Sequence, residues 1–503
     1  MTPLSPAEAE AFERLKPRLA RLWSEVFPND EEAYTSVVVP SVSIEPEDLA
    51  RRPHAQYYEE VLVFLLIRLR NPKARVVYVT SQPMPQVVID YYLQFLAGIP
   101  ASHAARRLSL VSAHDNSPRP LTTKVLERPR LIARIRAAIP DPTRAYLTVL
   151  RSTDLERRLA LRLDIPLNAP DPECERLLTK SGARRVLREA GLEVPFGYED
   201  LRDREDLVDA LDALRRERPG LRRALINLNT SFWDDGHALV ELPAASGRDA
   251  LSEALDRARS PEVGFGSADY LSRFSRGGGT LEEFVEGPLR DDASVQIRIN
   301  PMGRVFLTST HDELRGGSTG LDLVGCRFPA HDAYRAALQE AGLRVGRLLA
   351  GRGVVSRLSI EFLVRREEKG WRLLAREINL GVGGATHPLL AVRFLCGGHL
   401  DDETGMFRSP QGQAKFYRCT DRLEAPEYTQ FVPEDIVEIL TLHHLSYSPQ
   451  GEVGALFYML GGVATTGRLG LVAIGSSRDE ADAVFARTVA TLDAACGRRI
   501  RPG

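Results

Sequence analysis

Two glutamates and an asparagine carry the chemistry most readily read from this chain. Residues 354 to 388 run VVSRLSIEFLVRREEKGWRLLAREINLGVGGATHP, two apolar-rich runs around a polar turn at 365 to 370, which is the pattern of a β-hairpin. In the first run Leu358, Ile360, Phe362 and Val364 share one face, and Ser359 and Glu361 share the other. In the second, Leu374 and Ile378 fall on one side and Ala375, Glu377 and Asn379 on the other, because strand side chains alternate with period two. Pairing the two strands brings Glu361 beside Glu377 and Asn379. Two carboxylates and an amide oxygen are hard ligands, suited to Mg²⁺ that is shared with phosphate oxygens. A solvated polar face on an amphipathic hairpin gives the same periodicity.

The elements that must hold this hairpin read as α/β. Strands are predicted at Ser36 to Val39, Ala74 to Thr80, Arg107 to Ser112 and Ala145 to Leu150. Helices are predicted between them at Tyr57 to Arg70, Val87 to Leu96 and Thr122 to Ala138, with another at Asp154 to Leu163 after an amphipathic opening helix. Such alternation argues for a doubly wound parallel sheet. No GxGxxG follows a strand, so nothing local marks a dinucleotide site. Ser81 and Gln82 stand where a loop would face a cleft, a place more often taken by plain turn residues. Lys180 opens a helix that stops at Gly191 with Pro195 beyond it. Ser294 to Asn300 and Val305 to Ser309 read as an antiparallel pair. Toward the end, glycine turns separate strands before a helix opened by Ser477 and Asp479. His443 and His444 have no metal spacing with other His or Cys residues, and read as structural.

Composition narrows the class. A chain of 503 residues is long enough for about three domains. Its net charge of −2, with arginine far exceeding lysine, gives no reason to expect nucleic acid or an anionic membrane as partner. Five dispersed cysteines without a CxxC pair suggest reduced thiols in a cytoplasm. The most apolar run, Val61 to Leu69, is interrupted by Arg68 and too short to span a bilayer.

The pairing of IEF with EIN resembles the metal-binding hairpin of the ATP-grasp superfamily. More narrowly, EINLGVGGATHP is similar to the EINLRxGGTTHP signature of the pheganomycin-type peptide ligases. VVVPSVSIE, VVYVTSQP, YYLQFLAGIP, LTTKVLERPRLIARI, LEEFVEG, SVQIRI and GCRFPA recur in the same order in that family. The resemblance implies a doubly wound domain over residues 1–168 and a two-lobed ATP-grasp domain over 169–400, its small lobe 169–265 and large lobe 266–400. A small C-terminal α+β domain over 401–503 would complete the substrate cleft. It also implies ATP and Mg²⁺, the metal held by Glu361, Glu377 and Asn379.

Several residues take roles from the same resemblance. Lys180 matches a lysine that reaches the nucleotide phosphates. Glu282, Glu283, Phe284 and Val285 match the hinge whose backbone reads adenine, with Glu286 near the ribose. Arg298, Arg315 and Arg327 are the basic residues best placed for phosphate or a substrate carboxylate, which arginine binds bidentately. His387 either orients substrate or caps a turn.

Two positions depart from the family. Asn227 replaces a second phosphate lysine, a loss of about 1.5–3 kcal/mol if one charge-assisted contact goes. The following glycine-rich loop becomes Thr230 to Gly236 and contains Trp233. Gly381 replaces an arginine that steadies the tetrahedral centre, worth about 10²–10³ in rate where such a donor is lost. The expected activity is therefore amide formation from a carboxylate and an amine through an acyl phosphate, in natural-product peptide assembly. Its partners would be small-molecule or peptide substrates, and a homodimer is compatible with it. The rival expectation is a nucleotide or metabolite sensor on the same scaffold.

Overall fold

The computed structural model describes residues 4–26, 31–52, 55–230, 236–243, 247–259, 267–287, 290–317, 320–368, 370–401 and 403–497. The altered loop around Trp233 lies outside them.

Runs of β-branched residues build the first layer. Strands Thr35–Val39, Arg75–Thr80, Leu108–Ser112 and Ala145–Val149 form a parallel sheet in the order third, second, first, fourth. Val37, Val39, Val77 and Val79 face the helices Pro6–Val26, Pro129–Ala137 and Asp154–Leu163. Val38, Val76 and Tyr78 face the other way, into a core shared with the C-terminal third of the chain. Two helices differ from expectation. The segment Tyr57–Arg70 is a 3₁₀ helix. The helix expected from Thr122 to Ala138 is two, Leu121–Leu126 and Pro129–Ala137, because Pro129 lacks an N–H and drives Arg128 out of helical geometry.

A second sheet is antiparallel and small. Its strands Gly197–Leu201, Gly279–Glu283, Arg223–Leu228 and His237–Glu241 lie in that spatial order. Helices Arg204–Glu217, Arg248–Asp256 and Ser267–Gly277 cover one face through Leu207, Leu251, Tyr270 and Phe274. The small lobe therefore takes in segments beyond residue 265 and runs to Glu283.

The third sheet carries the hairpin. Strands Gly370–Leu380, Ser356–Glu367, Arg290–Ile299, Val305–Gly316, Asp322–Phe328 and Ala414–Glu424 are neighbours in that order. Strands Arg468–Gly475 and Gly454–Tyr458 continue from Ala414–Glu424, so the C-terminal region extends the large-lobe sheet instead of forming a sheet apart. Helix Asp332–Gly351 lies across the back, packing Leu338 and Val345 on Val295, Ile297 and Ile360. It approaches closely because a Cβ on Gly342 would stand 2.8 Å from the Val295 side chain, and one on Gly346 2.6 Å from that of Val305.

His387 is not in a loop. It lies in the first turn of helix Thr386–Cys396, fully buried, with Nδ1 2.8 Å from the Val61 carbonyl and its ring 3.8 Å from that of Tyr458. The helix docks between the 3₁₀ helix and the C-terminal strands, which removes His387 from any contact with substrate. Burial lowers its pKa to about 4, and that of His311, whose Nε2 is 2.6 Å from the Tyr417 hydroxyl, to about 3.

These neutral histidines make stability depend on acid. An unfolded histidine protonates near pH 6.5, so the unfolded chain gains protons that buried His387 refuses. Its contribution is present above about pH 6.5 and is lost as the pH falls toward 4, roughly 3 kcal/mol in all. Glu59 and Glu60, pushed up to about 7 by burial, act with the opposite sign over the same window. The difference between variants isolates the histidine. The melting temperature of His387→Phe should fall less steeply than the parent's between pH 6.5 and 4.5, and parallel curves would contradict the neutral, buried imidazole.

Candidate functional site

The large-lobe sheet arranges its open face in rows. Ser294, Glu361 and Glu377 are cross-strand neighbours in one row, and Gln296, Ser359 and Asn379 in the next. Arg298 and Arg357 form a third, continued by Gly381, whose N–H donates to the Arg357 carbonyl at 2.8 Å. Successive rows are two residues, roughly 7 Å, apart. The other faces of these strands bury Val295, Ile297, Leu358, Ile360 and Ile378.

A bulge corrects the simple alternation. Glu361 pairs with Glu377 but Phe362 with Ala375, leaving Arg376 as the extra residue. Ala375 consequently joins the core beside Phe362 instead of the glutamate face. The hairpin turn is also tighter than expected, since the strands run on to Glu367 and resume at Gly370.

Residues from every layer enclose the acidic row in a cleft of about 300 Å³. Lys180 reaches across from the small lobe to pair with Glu377. Its helix is set by Thr179, which caps Gly182 at 3.2 Å, and by Asn229, which accepts the Lys180 N–H through its carbonyl and the Ser181 N–H through its side chain. Asn227 lines the cleft and donates to the Thr280 hydroxyl at 3.3 Å. Arg315 binds Glu361 at 3.1 Å and also pairs with Glu313, while Arg376 binds Asp292 at 3.0 Å. Leu150 and Arg151 of the first layer and Asp421 and Arg422 of the C-terminal region complete the walls.

Charge in the cleft is closely balanced. Burial and the facing Glu377 push Glu361 up, with Arg315 opposing. Burial also acts on Glu377, but Lys180 beside it wins and holds that carboxyl low. Glu313 is pushed to about 7 by burial and by Glu361. A divalent cation fits this donor set, because two opposed carboxylates with an amide alongside gain from a shared positive charge. Among the described residues no group of three His, Cys, Asp or Glu stands in metal-binding geometry, and the Asn379 amide donates to Glu361 at 2.9 Å.

Other expected residues lie elsewhere. Arg298 does not line the cleft: it stacks 5.2 Å from the Trp23 ring and donates to Asn168 at 3.1 Å. Arg327 binds Asp482 of the C-terminal helix. Glu282 is buried against Arg184 at 2.6 Å; Glu283 binds Arg218 at 3.1 Å and Glu286 binds Arg223 at 2.7 Å. Glu283 to Glu286 line a separate recess of about 720 Å³, with Phe196 and Leu374. Both cavities open along one strand, since Leu374 lines the recess and Arg376 and Glu377 the cleft. Arg376, Glu313 and His237 are among the cleft residues that sequence reasoning did not assign. His237 pairs in register with Asn227, and its Nε2 is shut from solvent without a hydrogen-bond partner among the described residues. Burial and the charge of Arg376 lower its pKa to about 3. Nothing in the period marked Arg376, the residue that the bulge adds.

The comparisons agree with this geometry. Residues 172–260 and 266–401 match the family model described as IQCH-like, ATP-grasp, and residues 435–488 match that of the PGM1 C-terminal domain. Residues 172–401 of this chain therefore carry an ATP-grasp domain. It is 27% identical over 467 residues to an L-propargylglycine–L-glutamate ligase of Streptantibioticus cattleyicolor, covering 91% of this chain and 94% of that one. It is 24% identical over 425 residues to the IQ motif-containing protein H of Danio rerio, covering 75% of this chain and 40% of that protein. In fold it is similar to the biotin carboxylase of Campylobacter jejuni, with a TM-score of 0.55 at 14% identity over 93% of this chain and 96% of that one.

The opposite shifts of the two glutamates give a test without any ligand. Glu377→Gln strands the Lys180 cation in the cleft and should lower the melting temperature, with a cost of about 2 kcal/mol. Glu361→Gln removes the charge that Glu377 and Glu313 both oppose, and should cost clearly less. Thermal melts in a chelator at pH 7.5 compare them, and equal losses would show that the register does not set the balance.

Proposed function

We propose that this ATP-grasp protein joins a carboxylate to an amine at the expense of ATP, releasing ADP and phosphate. The observation that carries the reading is Lys180 reaching across the lobes to Glu377, directly opposite Glu361 and one row from Asn379. That pair keeps a phosphate-binding cation and a metal-binding carboxylate together until a nucleotide separates them. The base would take the hinge recess, between the Phe284 ring and Leu374, and the phosphates would run along the strand to Lys180. Glu361, Glu377 and Asn379 would hold Mg²⁺, which neutralises phosphate charge while the γ-phosphoryl moves.

The chain's own residues position the rest. Arg315 and Arg376 supply positive charge at the cleft floor, offsetting the neutral Asn227 and the missing arginine at Gly381. Gly381 has φ +94°, a conformation that a side chain disfavours, and its N–H is committed to the neighbouring strand. The substrate carboxylate attacks the γ-phosphorus and the bond to ADP breaks, leaving an acyl phosphate. The amine then attacks the acyl carbon, phosphate leaves, and an amide remains. Asp421 and Arg422 in the cleft wall support a substrate-side role for the C-terminal region. The ligase relative supports an amino acid or peptide as substrate, and peptide assembly in the cytoplasm as the setting.

Asn227 favours a second reading, a sensor that binds nucleotide without turnover. ADP release decides between them. With Mg²⁺, ATP and a panel of amino acids and peptides, release should need both a carboxylate and an amine partner, and EDTA or Glu377→Gln should cut it by orders of magnitude. A silent parent across the panel would favour the sensor. On either reading Asn227→Lys should tighten Mg-ATP binding about tenfold or more in calorimetry, and unchanged affinity would mean that the phosphates lie elsewhere.

A further inference from the structure

The third row of the sheet is an arginine row that the acidic site does not use. Arg298 and Arg357 are cross-strand neighbours on the open face. Arg68 of the 3₁₀ helix and Arg393 of helix Thr386–Cys396 lie near enough for their charges to act on Arg357. Among the described residues no carboxylate pairs with any of the four. Arg68 donates to the hydroxyls of Ser36 and Thr148, and Arg298 to Asn168. The guanidinium groups of Arg357 and Arg393 have no hydrogen-bond or ion-pair partner among the described residues. Like charges gathered in this way oppose one another: burial first, then Arg298, Arg393 and Arg68, hold Arg357 far below the usual arginine range. Burial and Arg68 lower Arg298 to about 10.

The protein does not neutralise this cluster from the acidic side. Glu361 lies two rows away, roughly 13 Å along the strand, and the neutral row Gln296, Ser359 and Asn379 intervenes. Gln296, Ser359, Asn379 and Gly381 all line the cleft, so the arginine row adjoins the same cavity. Four cations without a carboxylate partner among the described residues form a receptor for an anion, and arginine's planar fork matches a carboxylate.

We propose that Arg298 and Arg357, with Arg68 and Arg393, bind a carboxylate of the substrate other than the one activated at the Glu361–Glu377 row. This rests on the ligase reading and sharpens it: the substrate is an amino acid, peptide or dicarboxylic acid with two anionic groups, or one anionic group besides the reacting one. The spacing selects a molecule long enough to reach from the arginine row past Asn379. It also explains how a chain with glycine at 381 keeps substrate in place, by charge beside that position instead of on it.

Binding can be read without turnover. Thermal melts in the absence of nucleotide, at constant ionic strength, would compare glutarate, L-glutamate, acetate and inorganic phosphate as probes. Glutarate or L-glutamate should raise the parent's melting temperature more than acetate does. Arg357→Met should abolish that rise and Arg393→Met reduce it. Without ligand, Arg357→Met should itself melt higher than the parent, because one of four opposed charges is gone. A lower melting temperature for ligand-free Arg357→Met would show that its charge is satisfied within the protein, and would overturn the proposal. So would a dicarboxylate-induced rise that survives in both variants, or no such rise in the parent. A rise with phosphate alone, lost in Arg357→Met, would make the row a phosphate subsite and overturn the carboxylate assignment. Dicarboxylate binding that is lost in Arg357→Met, without ADP release in any assay, would leave the anion site standing and defeat the ligase reading.

Discussion

Like charges directly opposite each other on neighbouring strands repel, and Glu361 faces Glu377 across a cleft wall. The pairing is imposed by the apolar side of the hairpin, where Leu358, Ile360, Phe362 and Ile378 enter the core under helix Asp332–Gly351. A slip of one residue would expose all of them and bury the acids, so the core fixes the register that the acids alone would not choose. The cations around the cleft follow from that constraint. Lys180 meets Glu377, Arg315 meets Glu361 and Glu313, and Arg376 meets Asp292. The site is a set of repulsions held in place by packing and partly relieved by side chains that a ligand can displace.

This arrangement bears on the two departures from the family. A lysine at 227 would have stood on the small-lobe strand facing the same space as Lys180. Its absence leaves a neutral pair, Asn227 and His237, in register on that wall, with the His237 imidazole uncharged. Positive charge has instead moved to the floor. Arg376 stands there because of the bulge, which turns an extra side chain toward the cleft without disturbing Glu377.

Much of this was legible in the sequence where a single period governs. The parallel sheet, the hairpin and the face shared by Glu361, Glu377 and Asn379 all follow from alternation, and the helix that Lys180 opens from ordinary start signals, whereas a role for Lys180 came only from the family resemblance. What failed to show has local causes. The bulge adds one residue that no period announces, so Ala375 was assigned to the wrong face and Arg376 passed over. Helix Thr386–Cys396 docks between the first layer and the C-terminal strands, and only that long-range contact tells that His387 is core. Arg357 reads as one polar residue before an apolar strand, and its meaning depends on Arg298 nearly sixty positions earlier in the chain.

Separation along the strand lets one sheet hold opposite charges that do not cancel. In adjacent rows Arg357 and Glu361 would pair, and both sites would close. The intervening row is Gln296, Ser359 and Asn379, all neutral hydrogen-bonding side chains, and the roughly 13 Å across it is beyond the reach of an ion pair. The arginine end is thus left without carboxylate partners among the described residues, while Lys180 and Arg315 meet the acidic end on the same face. The face is therefore polarised from one end to the other, and it favours a ligand that brings positive charge to one end and negative charge to the other. A metal-bound phosphate chain beside a free carboxylate has that distribution, and a neutral molecule of the same length does not.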